Sequence, residues 1–403
     1  MSVVVSGRSS PRLHTLVPHR QISTRRCVAI RSSHGMLDET TIAGLVSVLA
    51  LLVTLYFVGF TLTAPAPSAV GKVTKIVVYP LKSAKGIEVQ SHRLDSRGLE
   101  FDRLWMVVDE DGTFLSQRRA PKLATVVVKL PKVSSDPLHL SAPGAAPIAV
   151  PVCTAPTAVQ VRVWGDRCEA IDQGDEAAVW LSNVLGIEGA RLVRMTESEK
   201  RVCSTKWGPK GATTAFSDGF PLLLANEASL GLLNDKLRAR SKLPVPMERF
   251  RPNLVIGGPT DALTPFAEDG WSGMSVGDRR GHLGVSFGVV KPCARCKMVT
   301  IDQTSGVPDK RSTSAPTAGT PDDNDEGGGP AEHAEPTATL RTFRSSTHLG
   351  YKKPFDSCDV FFGQNIVHES TYIGKEIAVG DAVVATPRRG RGVFSRGVLG
   401  IDY

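Results

Sequence analysis

From residue 71 onward the chain is written mostly in short apolar or alternating runs separated by turn residues. KVTKIVVYPLKS reads as a strand that breaks at Pro80, because proline removes a backbone donor and fixes φ. LWMVVDEDGTFLSQR reads as a hairpin turning at Asp111 and Gly112, a dipeptide suited to positive φ. ATVVVKL, PIAVPVC, VQVRVWGDRCEAI, NLVIGG, HLGVSFGVV, MVTID, AVGDAVVAT and GVFSRGV are further strand candidates. Two stretches keep helical spacing instead: Asp175 to Ile187, stopped at Gly186, and Leu222 to Leu237. Strands outnumber helices, and no β-α-β alternation with a glycine-rich phosphate loop occurs. The pattern predicts an α+β, β-barrel-rich protein whose two modules divide near residues 196 to 212.

Two stretches break this pattern. Residues 42–62, IAGLVSVLALLVTLYFVGFTL, carry no charge and no proline. Their length matches the ~20 residues that cross a bilayer core, and they are expected to form a transmembrane anchor. The preceding residues 1–41 hold six arginines and several serines before the first acid at Asp38, a composition that fits an organelle-targeting leader. Residues 63–70 read as a linker. The other exception is Ser305 to Thr339, rich in Pro, Gly, Ser, Thr and acids, which is expected to be a disordered insertion between two strands.

The 403-residue chain has a formal net charge of +8. Part of that excess lies in the leader and in a basic tail over residues 387–403, and the folded body has no Lys/Arg block. Nucleic acid is therefore a poor partner for it, while a small anionic ligand is allowed. The seven cysteines are odd in number and scattered, which argues against a disulfide framework and for a reducing environment.

The chemistry concentrates in KPCARCKMVTID, where Cys293 and Cys296 stand at C-x-x-C spacing. A structural zinc site needs four ligands, and the chain has no second such pair. A redox dithiol would open a helix, whereas MVTID is β-branched and strand-like. Lys291, Arg295 and Lys297 crowd the pair. Cations lower a thiol's pKa and favour the thiolate, so a single functional thiolate in a positive pocket competes with a pair of packing cysteines. Lys82, Ser83 and Lys85 follow a broken strand that would leave backbone N–H groups free for an anion. Arg103, Arg118, Arg119, Arg251 and Asn253 are further candidates for such a pocket, since guanidinium forks bind phosphate and carboxylate bidentately.

These stretches, in this order, resemble the MOSC family, a molybdenum-cofactor-binding domain preceded by an N-terminal β-barrel partner. YPLKSAKG and FDRLWMVVDEDGTFLSQRRAPKLA look like the N-terminal module, placed at residues 71–200. FSDGFPLLLANEASL, RFRPNLVI, FAEDGW, VGD and CARCKMVTID look like the MOSC domain, placed at residues 210–386. The resemblance implies a molybdopterin whose molybdenum is bound by one cysteine, by position Cys296. It implies cofactor contacts from Lys82, Ser83, Arg103, Ser217, Arg251, Asn253 and Arg295, with Asp218 delivering protons. The branch of the family that carries a leader and an anchor implies reduction of N-hydroxylated substrates, amidoximes and N-hydroxylated bases, at the mitochondrial outer membrane, although a plastid address would read similarly. Electrons would come from cytochrome b5 and its NADH-dependent reductase, because the sequence shows neither C-x-x-C-H nor G-x-G-x-x-G. A cofactor carrier is the competing expectation, as is a sulfur-transfer protein like the molybdenum-cofactor sulfurases. In those a large pyridoxal-phosphate domain precedes the MOSC part, whereas 70 residues precede it here.

Overall fold

The computed structural model describes residues 38–63, 68–153, 158–259, 261–277, 284–308 and 334–388. The leader through residue 37, the tail from residue 389 with its GVFSRGV stretch, and most of the acidic insertion lie outside the described residues.

The strand Gly71–Val78 sits at the centre of the architecture. It pairs antiparallel with Leu254–Gly257 on one side and with Ala382–Pro387 on the other. From there the ladder runs through Trp271–Gly277, Val285–Ala294, Phe361–His368 and Leu222–Asn226, and back to Leu254–Gly257. The sheet therefore closes on itself, and closure removes the exposed edges that an open sheet must protect. Val73, Ile76, Leu224, Ile256, Met274, Phe287 and Ile366 fill its interior. The first strand of the module expected over residues 71–200 thus belongs to the same barrel as the strands expected over residues 210–386.

A second, four-stranded sheet pairs Trp105–Val108, Arg191–Met195, Asp166–Asp172 and Ala158–Val163. The helix α2, Asp175–Leu185, packs Leu181 and Trp180 into a core with Leu115 and Leu123. As its sequence predicts, α2 ends at Gly186, which takes the left-handed conformation at φ 70°.

Several expectations are corrected. LLLAN at the start of the second predicted helix is a strand, Leu222–Asn226, and the helix α3 spans Glu227–Ala239. All five strand residues are buried between two neighbouring strands, and a continuous apolar run of that length does not itself choose between helix and strand. Asn226 makes the switch, its side chain accepting from the Ala228 N–H at 2.9 Å as the N-cap of α3. MVTID is not a strand either. The strand before it runs on to Ala294, and Lys297–Thr300 form a 3-10 turn with Cys296 as its N-cap.

The insertion is shorter than expected at both ends. Pro308 bridges to Ile301, and residues 334–339 pack against the body, with Ala334 and Thr339 fully buried. They lead into the helix α4, Thr337–Arg344. Its anchor is Arg344, which meets Asp269 at 2.7 Å with both side chains buried.

Before the body, the helix α1 covers Glu39–Thr63. No helix is long and apolar enough to cross a membrane among the described residues. The uncharged run of residues 42–62 continues past Leu55, where description of the side chains stops, so the segment expected to be the anchor is only partly covered by that finding.

One prediction arises from the core beneath α4. Glu268 is fully buried, accepts from Asn226 and Ser229 at 3.0 and 2.9 Å, and adjoins the Asp269 carboxylate. Burial, reinforced by the Asp269 charge, pushes its carboxyl up from 4.5 to about 7. Between those values the unfolded chain releases a proton that the folded protein retains. Stability therefore falls as pH rises through that window, by up to about 1.4 kcal/mol per unit. Chemical denaturation at pH 5 and pH 7.5 checks this. The wild-type loss over that interval is expected to shrink in Glu268→Gln, and an unchanged slope would assign the pH dependence to other groups.

Candidate functional site

The residues singled out from sequence converge on one recess. A cavity of about 120 Å³ is lined by Lys82, Ser83, Arg103, Ser217, Asp218, Arg251, Asn253, Arg295 and Cys296 together. It adjoins a larger outer chamber of about 400 Å³ that shares Asp218, Arg295 and Cys296. Lys85 and Arg119 are not among the residues lining either cavity, and Arg119 instead pairs with Asp109 at 2.8 Å.

The floor is organised by Asp102, which the sequence did not single out. Its side chain is fully buried and accepts from the Tyr79 N–H at 2.8 Å, from Asn253 Nδ2 at 3.0 Å and from Arg103 Nη1. Arg103 also donates to Asn253 Oδ1 at 2.8 Å. The guanidiniums of Arg103 and Arg251 each lie 4.3 Å from the centroid of the Tyr79 ring. Two cations thus share one aromatic partner, and burial pushes the Tyr79 hydroxyl up to about 12 in spite of them.

Arg251 is buried, and its side chain donates to the Ala84 carbonyl at 2.7 Å and to the Gln303 side-chain oxygen at 3.4 Å. Among the described residues no carboxylate pairs with it. Burial, with the neighbouring Arg103 charge adding to it, pulls Arg251 down to about 10, as expected of a cation still short of an anion. The Ser217 hydroxyl is likewise buried without a protein partner. Backbone strain collects here too. Ser83, Arg103, Trp164 and Arg251 all have positive φ, between 49° and 67°, a conformation that costs about 1–3 kcal/mol each and clusters at ligand sites.

The backbone of the PLKS turn is not the free anion cradle expected. Lys82 N donates to the Trp105 carbonyl, Ala84 N to Leu81 and Lys85 N to Val126. Its contribution is the Lys82 side chain, buried and 2.6 Å from Asp218 Oδ1. Trp164 Nε1 donates to the same oxygen at 3.1 Å. Asp218 keeps 69% of its side-chain surface accessible and lines both the recess and the outer chamber. Crowding alone would raise its carboxyl. The Lys82 ammonium and the indole N–H outweigh that and hold it well below the usual carboxylate range. At neutral pH Asp218 is ionised and carries no proton to deliver. Its loop is positioned by buried Arg201, which donates to the carbonyls of Ala215 at 3.1 Å and Asp218 at 2.6 Å, and also to that of Ser217.

The two cysteines prove unequal. Arg295 Nη1 lies 2.9 Å from Cys293 Sγ, and its Nη2 donates to the Phe250 carbonyl at 2.8 Å. Both cysteines line both cavities, and Cys296 is the exposed one of the two. The expectation that neighbouring cations would lower the thiol is not met at Cys296. Crowding within the recess, joined by the Asp218 charge, pushes it up against Arg295 and Arg118. The six described cysteines are free thiols, and among the described residues no cluster of three His, Cys, Asp or Glu could hold a metal by itself.

The barrel thus places an accessible cysteine, two residues beyond a strand end, beside a cationic floor. Residues 70–188 match the MOSC N-terminal beta barrel domain and residues 212–384 match the MOSC domain. The chain belongs to the MOSC-domain family. It is 34% identical to mitochondrial amidoxime reducing component 2 of Rattus norvegicus, over 60% of this chain and 70% of that one. It is 30% identical to mitochondrial amidoxime-reducing component 1 of Homo sapiens, over 78% and 82% respectively. A molybdenum cofactor sulfurase of Danio rerio is 33% identical over 57% of this chain but only 28% of its own length.

Proposed function

We propose that this chain is a molybdenum-cofactor-dependent reductase that removes the oxygen of N-hydroxylated substrates such as amidoximes and N-hydroxylated bases. The observation that carries the reading is the pairing of one accessible thiol, Cys296, with a floor on which buried Arg251 lacks a carboxylate partner. That donor set fits the cofactor. A soft thiolate suits a sulfur-bound metal, and Arg251, Arg103 and the unpartnered Ser217 hydroxyl suit an anionic pterin phosphate. Cys296 would be the metal ligand, and Lys82, Ser83, Asn253 and Arg295 would complete the cofactor's contacts.

When bound, the cofactor supplies the two-electron redox chemistry. The overall reaction consumes two electrons and two protons and releases the oxygen as water. Lys82 is the proton-bearing member of its pair with Asp218, at Nζ, and burial lowers its pKa while Asp218 opposes that shift. Asp218 therefore acts as the carboxylate that orients Lys82 toward the recess, and Trp164 fixes that carboxylate from the other side. Electrons are supplied by cytochrome b5 and its NADH-dependent reductase. Residues 42–62 anchor the chain in the mitochondrial outer membrane with its body facing the cytosol.

The match to a molybdenum cofactor sulfurase favours a second reading, a cofactor carrier or sulfur-transfer protein using the same pocket. Metal analysis joined to turnover separates them. The full chain, purified with molybdenum cofactor available, is expected to retain molybdenum and to reduce benzamidoxime in the presence of cytochrome b5 and its reductase. Bound molybdenum without turnover selects the carrier, and absence of bound molybdenum overturns both.

A further inference from the structure

The inner recess and the outer chamber differ in how their charges are used. In the inner recess Lys82 is paired with Asp218 and Arg103 with Asp102, which leaves Arg251 for the cofactor's anionic group. In the outer chamber two cations are left over. Arg118 has its side-chain N–H near Ser116 Oγ at 3.3 Å and its guanidinium 4.4 Å from the Trp164 ring centroid. Neither Arg118 nor exposed Lys297 pairs with a carboxylate among the described residues. Asp218, one of the two acids lining this chamber, is already neutralised by Lys82, and the other, Asp359, lies under the influence of Lys291. Arg341, supplied by α4, adds a further cation to the wall. A lined volume of about 400 Å³ falls within the ~300–1,000 Å³ of small-molecule sites.

The stacking geometry adds shape to charge. Trp164 stands on the hairpin between Ala158–Val163 and Asp166–Asp172, with Phe114 5.0 Å behind its ring and Arg118 on the ring itself. A flat, cationic platform therefore overlooks Cys296, which lines the same chamber. A guanidinium resting over an aromatic ring can still offer N–H groups to a carboxylate.

We propose that the outer chamber selects planar N-hydroxylated substrates that carry an anionic group, with Arg118 on Trp164 and Lys297 as the contacts for that group. The inference rests on the reductase reading for the N-hydroxyl end, which lies toward Cys296. The anionic end lies against Arg118 and Lys297, and binding steers anions inward, so the preference weakens as salt rises.

The test uses the cofactor-loaded full chain and three probes of one shape: benzamidoxime, 4-carboxybenzamidoxime and 4-(trimethylammonio)benzamidoxime. Calorimetric titration reads binding, and kcat/KM reads turnover separately. The carboxylated probe is expected to bind about tenfold more tightly than the neutral one, as a charge-assisted hydrogen bond allows, and the cationic probe more weakly than either. In Arg118→Gln with Lys297→Gln the carboxylate-to-neutral ratio is expected to fall to about one, whatever the affinity for the neutral probe, since only the charge-assisted contact distinguishes the two probes. Equal binding of all three probes, no binding of any, or a ratio unchanged in the double variant overturns the proposal. A carboxylate preference in binding without turnover leaves it standing and removes the reductase reading. Turnover of all three with equal kcat/KM does the reverse.

Discussion

Replacing Cys296 with alanine is expected to strip the chain of retained molybdenum and of benzamidoxime reduction, by more than about a hundredfold in either measurement. Disturbing the outer partners of a metal ligand alone costs about 10–100-fold, so removing the ligand should cost more. Cys293→Ala is expected to retain most of both. The contrast follows from what each sulfur touches. Both residues line both cavities, but Cys296 is exposed, while half-buried Cys293 has its Sγ 2.9 Å from Arg295 Nη1, whose other nitrogen is fixed on the Phe250 carbonyl. Losing Cys293 leaves Arg295 one partner short but leaves its place in the wall to the Phe250 contact. Molybdenum content measured beside far-ultraviolet circular dichroism separates loss of the ligand from loss of the fold. The reverse ranking of the two variants would move the assignment to Cys293.

The sequence revealed more of this site than of the architecture around it, and the reason is physical. Lys82, Arg103, Ser217, Arg251 and Cys296 were recognisable because their motifs are short and contiguous, and all of them line the same recess. Asp102 and Trp164 escaped, although both are adjacent to or between predicted strands. Asp102 acts through three hydrogen bonds made mainly to partners distant in sequence, and Trp164 through a bond to Asp218 across the fold. No local pattern marks such contacts. Boundaries failed where tertiary pairing overrode local preference, as in LLLAN, which two barrel neighbours hold as a strand. The MVTID turn failed differently, since β-branched content suits a strand but here Val299 and Thr300 are buried in a 3-10 turn that carries Cys296 to the cleft. The thiol and the Asp218 carboxyl show why charge counting along a sequence is a poor guide to ionisation. Arg295 and Lys297 stand beside Cys296, yet crowding within the recess outweighs the cations at the sulfur, while Lys82, remote in sequence but in contact, lowers the Asp218 carboxyl against its own crowding.

The second large effect is expected at Asp102. Burial pushes its carboxyl up in spite of Arg103, the Tyr79 N–H and Asn253, so the pair with Arg103 is costly to bury and is weak evidence for net stability. Breaking it is a different matter. In Asp102→Ala the Arg103 guanidinium, 13% exposed, loses its carboxylate, the Tyr79 N–H loses its acceptor, and Asn253 Nδ2 keeps only the Val77 carbonyl. Removing one member of a buried pair typically costs about 3–5 kcal/mol, and that loss of unfolding free energy is the expected result. Asp102→Asn retains an acceptor for the Tyr79 N–H while removing the charge, and should fall between the wild type and the alanine variant. Arg103 holds its positive φ of 49° at this position, and without Asp102 the guanidinium over the Tyr79 ring keeps only its bonds to Asn253 Oδ1 at 2.8 Å and the Arg251 carbonyl at 3.4 Å. Both variants are therefore also expected to weaken molybdenum retention, because Arg103 stops presenting its charge beside Arg251. Denaturant midpoints give the first effect and metal content at a temperature well below unfolding gives the second. A stability loss under about 1 kcal/mol in Asp102→Ala would mean that water entering the recess replaces the carboxylate fully, and that Arg103 rather than Asp102 organises the floor.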